Sequence, residues 1–279
     1  MTALSVAALV VAMVAAIVHP WPLGDHDGTI ETRIAAPENF TRVPAAPGSF
    51  AAWLRALPLR PGRPAVMLYN GKPKRNQAAH FAVVAMDTGD KDLQQCADAV
   101  IRLRAEYLWG RNRPQDLCFR LTSGDPIPWS RWSAGEAVTV GKRVGWGSQP
   151  ADSSYAGFRH WLDLVFTYAG TRSLARDLKS IDFAELRPGD VFVHGGSPGH
   201  AVLVLDVVAA PDGTRMMMLG QSYMPAQEFQ VLRDPADRGT PWIPVSGTGK
   251  LVTPEWTFDW KDLKRFPENA CQSDAETKR

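Results

Sequence analysis

The stretch from Asp152 to Gln221 constrains this chain more than any other, because it reads as a helix, a connector and a β-hairpin that presents a histidine. Asp152 is suited to an N-cap, and Ser154, Phe158, Trp161, Leu162 and Val165 recur behind it at helical spacing on one face. Gly170 fits the helix stop. After a short polar connector, Leu186-Arg187-Pro188-Gly189-Asp190 turns into the apolar run Val191-Phe192-Val193. Ser197-Pro198-Gly199-His200 then opens the strand Ala201–Val208. The turn at Pro211-Asp212-Gly213 returns the chain through Met216–Leu219 to Gln221-Ser222. A hairpin so centred sets His200 roughly opposite Gln221.

With 279 residues, 45% hydrophobic and 22% charged, the chain can build one large domain or two modest ones. A net charge of +2 with scattered Lys and Arg is no nucleic-acid footprint, so no nucleic-acid partner is expected. There is no Gly-rich phosphate loop, heptad pattern or internal repeat, and no Cys/His spacing of a metal site. No cofactor and no metal are therefore expected.

The run Ala3 to Val18 carries no charge, yet it is shorter than the ~20 residues of a membrane span. Residues 1–19 read as a signal peptide or an uncleaved anchor, which would place the rest outside the cytoplasm, in the periplasm or cell envelope. The membrane is then met only through that segment. Pro20 to Gly48, rich in Pro, Gly and charge, reads as a tether, and residues 267–279 as a disordered tail. Export permits a disulfide among Cys96, Cys118 and Cys271, with one thiol left over. Whether Cys96 pairs with Cys118 is open, and Cys271 falls in the polar tail.

Between these ends, residues 49–266 read as a single α+β domain, with a front portion (49–150) and a back portion (151–266) that no linker separates. In the front portion, Ser49–Leu57 reads as a short helix, and Ala65–Tyr69 and His80–Met86 as strands. Asp92–Trp109 reads as an amphipathic helix with Leu93, Cys96, Val100, Leu103 and Tyr107 on one face. Leu117–Leu121 is a further strand, and Ala137–Trp146 a hairpin. Beyond Gln221, Glu228–Leu232 reads as a strand, and Leu251-Val252 with Trp256-Thr257-Phe258 as an edge strand or flap.

The order Asp152-Ser153-Ser154, apolar helix, Pro188-Gly189-Asp190, strand, Gly199-His200 and hairpin resembles the NlpC-type cell-wall peptidases. Those are papain-like enzymes with Asp-Cys-Ser on the helix, Pro-Gly-Asp before a strand, and His opening the next. The resemblance implies a papain-like core of one helix packed on an antiparallel sheet, here with an N-terminal α/β extension. It covers roughly residues 152–222, and the helix cysteine is absent from it. Nearly the full length also resembles a bacterial family known as domain of unknown function 4846. That resemblance is carried by Leu93–Ala99, Arg104–Leu108, Phe192–His200 and Gln221–Gln227.

A papain-like centre needs a nucleophile at a helix start, where the dipole favours an anion and backbone N–H groups can hold an oxyanion. Ser154 shares the buried stripe of its helix, whereas Ser153 aligns with the peptidase cysteine. Either would need His200 as general base, and either could simply cap the helix. Cys96, near the start of the Asp92–Trp109 helix, is the rival nucleophile, and its bland use is as a small buried apolar residue. Gln221 would orient the imidazole. Two readings follow. The first is an extracytoplasmic hydrolase or acyl transferase acting on amide or peptide substrates, cell-wall peptides by fold analogy. The second is a non-catalytic domain that binds a wall fragment or protein partner in a groove lined by Trp129, Trp132 or Tyr223.

Overall fold

The run Ala201–Val208 is apolar at every position but Asp206, the pattern of a strand covered on both faces. The computed structural model describes residues 19–141, 143–268 and 271. Its elements in chain order are α1 (Ile30–Arg33), β1 (Thr41–Arg42), α2 (Phe50–Arg55), β2 (His80–Val83), α3 (Cys96–Gly110), β3 (Cys118–Arg120), β4 (Pro126–Pro128) and α4 (Trp129–Ser133). There follow β5 (Glu136–Val140), β6 (Val144–Ser148), α5 (Tyr155–Tyr168), α6 (Thr171–Asp177), β7 (Lys179–Ser180), β8 (Val191–His194), β9 (His200–Ala209) and β10 (Arg215–Gln221). The chain closes with β11 (Gln230–Leu232), β12 (Trp242–Pro244), β13 (Lys250–Val252), β14 (Thr257–Asp259) and β15 (Leu263–Arg265).

The class is α+β, as expected. The principal sheet runs β2-β11-β10-β9-β8-β15-β7, and each of these neighbours pairs antiparallel. Its spine is the β9–β10 ribbon. The free edge of β9 takes β8 along His200–Leu203 and β1 along Val208–Ala209. The free edge of β10 takes β12 along Met216–Met218 and β11 along Gly220–Gln221.

A bulge in the ribbon pairs Met218 with Asp206 but Leu219 with Val204, so the facing of β9 changes at Leu205. Ala201, Leu203, Leu205 and Val208 join one core cluster, while Val202, Val204 and Val207 join another. The first cluster is roofed by α3 along β9 and β10, with α2 on β9 and α6 on β8. The second lies under β13 and β14, with Leu251 and Phe258 buried against Val202 and Val204.

The helix expected behind Asp152 forms as α5, and Phe158, Trp161, Leu162 and Val165 are buried as the spacing requires. Ser154, rather than Asp152, is its N-cap. Its neighbours, however, are α3 and α4, and the helix lying along the ribbon is α3. Because α3 is enclosed by sheet and helices, nearly its whole circumference is buried, including Arg102 and Glu106. Arg102 survives there by pairing with Asp87 (2.5 Å) and Glu106 (3.3 Å). The polar connector after Gly170 is helical as α6, and Ala65–Tyr69 forms only bridges at Met67 and Leu68. Among the described residues, no helix is long and apolar enough to cross a membrane. The apolar run Ala3–Val18 lies outside the described residues.

Pro20 to Gly48 is not a tether. Trp21, Ile30 and Ile34 are buried in the main core, and the Trp21 indole N–H donates to the Ala85 carbonyl at 2.9 Å. Three spaced apolar anchors outweigh a solvent-like background, each worth about 1.5–3 kcal/mol of burial. Within the tail, Cys271 is bonded to Cys118, which leaves Cys96 as the free thiol and excludes a Cys96–Cys118 pair.

Asp206 fastens the first part of the chain to the ribbon. It is fully buried, and its carboxylate accepts from Arg42 at 2.6 Å and from Arg55 at 2.7 Å. Asp206→Ala would leave two guanidinium groups facing an apolar wall. It is expected to destabilise the protein by about 3–5 kcal/mol in urea unfolding; a loss under 1 kcal/mol would show that the pairs do not hold β1 and α2 in place.

Candidate functional site

His200 is the first residue of β9, and the chain leading into it is sterically fixed. A Cβ on Gly199 would meet Thr171 Oγ1 at 2.3 Å and the His194 carbonyl at 2.8 Å, so the loop can pass there only with glycine. The turn at Pro188-Gly189-Asp190 sets β8. Gly189 takes φ +95°, and Asp190 accepts from the Arg187 N–H at 2.8 Å and from Arg265 at 2.6 Å. The strand pair so positioned holds the imidazole at 1% exposure against Tyr223, Trp256 and Phe258, with ring centroids 4.8, 5.4 and 5.8 Å away.

A chain of hydrogen bonds fixes which imidazole nitrogen is basic. Glu255 accepts from Lys74 Nζ (2.5 Å), from Asn76 Nδ2 (3.1 Å) and from Gln221 Nε2 (2.7 Å). A carboxylate can only accept, so the Gln221 amide must turn its NH₂ toward Glu255 and its Oε1 toward His200. Gln221 Oε1 in turn accepts from His200 Nε2 at 2.7 Å. The proton therefore sits on Nε2, and Nδ1 keeps the lone pair. Burial pulls the His200 pKa down to about 4 and nearby Lys74 adds to this, while the Gln221 bond opposes it. Burial likewise lowers Lys74 against the pull of Glu255.

Cys96 is the first residue of α3. The helix starts there because the Gln95 N–H donates to Asp98 Oδ2 at 3.1 Å, a capping interaction. Its entry is clamped to the end of β10, where the Ser222 hydroxyl lies 3.0 Å from the Gln94 carbonyl and 2.8 Å from that of Gln227. The backbone N–H of Ala201, the residue following His200, acts with those of Ala97 and Cys96 to lower the thiol pKa. Burial and the Asp98 carboxyl push the thiol up to about 11 despite these donors. Burial also raises Asp98, to about 8. Thiol and imidazole are thus both neutral at pH 7.

The structure joins two of the residues singled out in the sequence, His200 and Gln221, by a hydrogen bond, and puts Cys96 at the start of α3, the helix packed along their ribbon. It places Ser153 and Ser154 elsewhere. Both are exposed, Ser154 Oγ accepts the Gly157 N–H at 3.1 Å as a cap, and neither hydrogen-bonds the imidazole. Their neighbour Tyr155 donates to Glu106 at 2.7 Å, so the front of α5 lies roughly 15 Å along α3 from Cys96. Trp129 is buried with Trp161 and Phe158, away from any groove at His200, and Trp132 packs on the same core. Tyr223 does flank the imidazole.

Sequence reasoning missed Glu255 and Lys74. Glu255 stands in the turn of the β13–β14 hairpin and Lys74 in a basic run, and neither spacing nor motif marks them. Among the described residues, no cluster of three His, Cys, Asp or Glu side chains could hold a metal ion.

The displaced histidine gives a pH signature. Its pKa falls from 6.5 unfolded to about 4 folded. Its contribution to stability is therefore full above pH 6.5 and is lost as pH falls toward 4, by on the order of 3 kcal/mol. The stability difference between the native protein and His200→Gln should narrow by that order from pH 6.5 to pH 4 in urea unfolding. An NMR titration placing the His200 pKa near 6.5 would contradict the buried, neutral imidazole.

The family model described as Domain of unknown function (4846) matches residues 30–265. No curated protein and no solved structure matches the chain. With nearly all of its described body inside that match, from α1 through β15, the chain belongs to the domain of unknown function 4846 family.

Proposed function

We propose that this protein is a thiol-dependent hydrolase or acyl transferase of the papain-like class, acting outside the cytoplasm on an amide or peptide substrate. Cys96 is the nucleophile, His200 the base through Nδ1, and Gln221 the residue that orients the ring. Glu255 sets the sense of the Gln221 amide. The observation that carries this reading is an imidazole whose free nitrogen is defined by its partners, with a helix-start thiol on α3, the helix that packs along the same β9–β10 ribbon. In the reaction the thiol proton passes to His200 Nδ1 as sulfur attacks the carbonyl carbon. The protonated ring then gives that proton to the leaving amine, and water or a second amine takes the acyl group from sulfur.

Cell-wall peptides are the substrate class that fold analogy favours. The Cys118–Cys271 disulfide supports an oxidising compartment, which suits an exported protein. The resting site is shut and neutral, with Cys96 at 7% and His200 at 1% exposure. That observation favours a second reading, a binding domain in which the same residues are structural. Under it, a wall peptide would bind without being cut.

Incubation with peptidoglycan fragments, with new amino termini measured, separates the two readings. The catalytic reading expects release that falls about 10³-fold or more in Cys96→Ala and is unchanged in Ser154→Ala. Fragment binding without release, equal in the native protein and Cys96→Ala, would establish the binding domain instead. Release that survives in Cys96→Ala would remove Cys96 from the chemistry.

A further inference from the structure

A second recess lies along α3, away from its first turn. Ile101, Arg104 and Leu108, one stripe of the helix, form one wall of a cavity of about 950 Å³. That volume is at the upper end of the range of small-molecule sites. The opposite walls come from β3, α6, β7 and the segment after β15, and both halves of the Cys118–Cys271 disulfide line it.

The charge of this lining is unbalanced. Six cationic side chains face three carboxylates. Two of the carboxylates are already engaged, Asp116 with Arg113 at 2.5 Å and Asp177 with Arg176 at 2.9 Å. Arg265 is matched by Asp190, outside the cavity. Arg104, Lys179 and Arg187 are different: among the described residues, none of these side chains makes a hydrogen bond or an ion pair. The Arg104 guanidinium is instead caged by Phe50, Tyr107 and Phe266, with ring centroids 5.2, 5.5 and 5.5 Å away. Aromatic faces hold a cation in place but leave its N–H donors unused. Burial lowers the Arg104 pKa from its usual value, a measure of how poorly water compensates that charge.

A guanidinium held by aromatic rings with its donors free, in the lining of a roomy, partly apolar cavity that also includes a lysine, suits planar or tetrahedral oxyanions. We propose that this cavity binds a small molecule carrying a phosphate or carboxylate group beside an apolar portion, held by Arg104 and Lys179 and independent of Cys96 and His200. Ile101, Leu108 and Phe119 provide the apolar side of that recognition.

Isothermal titration of the full chain with pyrophosphate and, separately, with citrate tests the assignment. Saturable one-to-one binding of either probe is expected, and the probe preferred tells phosphate from carboxylate. Arg104→Gln and Lys179→Gln should each weaken that binding about tenfold or more, and Cys96→Ala should leave it unchanged. Lys179 is exposed, so its substitution leaves the fold intact even where loss of Arg104 disturbs the aromatic cage. Absence of saturable binding by both probes, or binding by Lys179→Gln equal to that of the native chain, would overturn the proposal. Loss of binding in Cys96→Ala would assign the effect to the first site instead.

Discussion

A helix whose first residue must meet the end of a strand has little latitude, and here that meeting is set by a hydroxyl. Ser222, one residue past β10, bonds the carbonyl just ahead of α3 and ties it to the same ribbon that carries His200 and Gln221. The Asp98 cap then decides that the helix begins at Cys96 and no later. One long-range bond and one local cap thus fix where the start of α3 meets the ribbon. The large apolar contact between α3 and the ribbon keeps the two together, but it would tolerate small slips along the helix axis that the bonds do not.

The electrostatics of the centre follow from its dryness. Imidazole and thiol are both driven toward their neutral forms by the same burial, from opposite directions. A neutral pair of this kind holds no preformed ion pair. The acceptor chain through Gln221 to Glu255 matters in this setting, because it selects the tautomer without placing a formal charge on the ring. Lys74 and Asn76 keep the Glu255 carboxylate satisfied at the far end.

Much of the ribbon was legible in the sequence. The Pro188-Gly189-Asp190 turn, the glycine before His200 and the two apolar runs leave few alternatives, and the His200–Gln221 contact follows from the hairpin length. The Phe158-Trp161-Leu162-Val165 stripe was equally clear, yet a stripe states only that a face is buried and not against what. The stripe on α5 suits a sheet-covering helix, although α3, buried nearly all round, is the one that lies there. Cys96 was visible as a rival because it opens an amphipathic pattern. The clamp by Ser222 depends on long-range packing, which no periodicity records. Glu255 and Trp21 were hidden for the same reason, each in a segment whose average composition is that of a loop.

The bond between Cys118 and Cys271 closes a covalent ring that holds His200, Gln221 and Glu255, and leaves Cys96 outside it. A protease that nicks the chain once inside this ring leaves both fragments attached to each other. A single nick between α3 and β3 instead divides the sulfur from the imidazole with nothing covalent to retain it. The short junction Arg111–Leu117 is thus the point at which one cut separates the two halves of the centre.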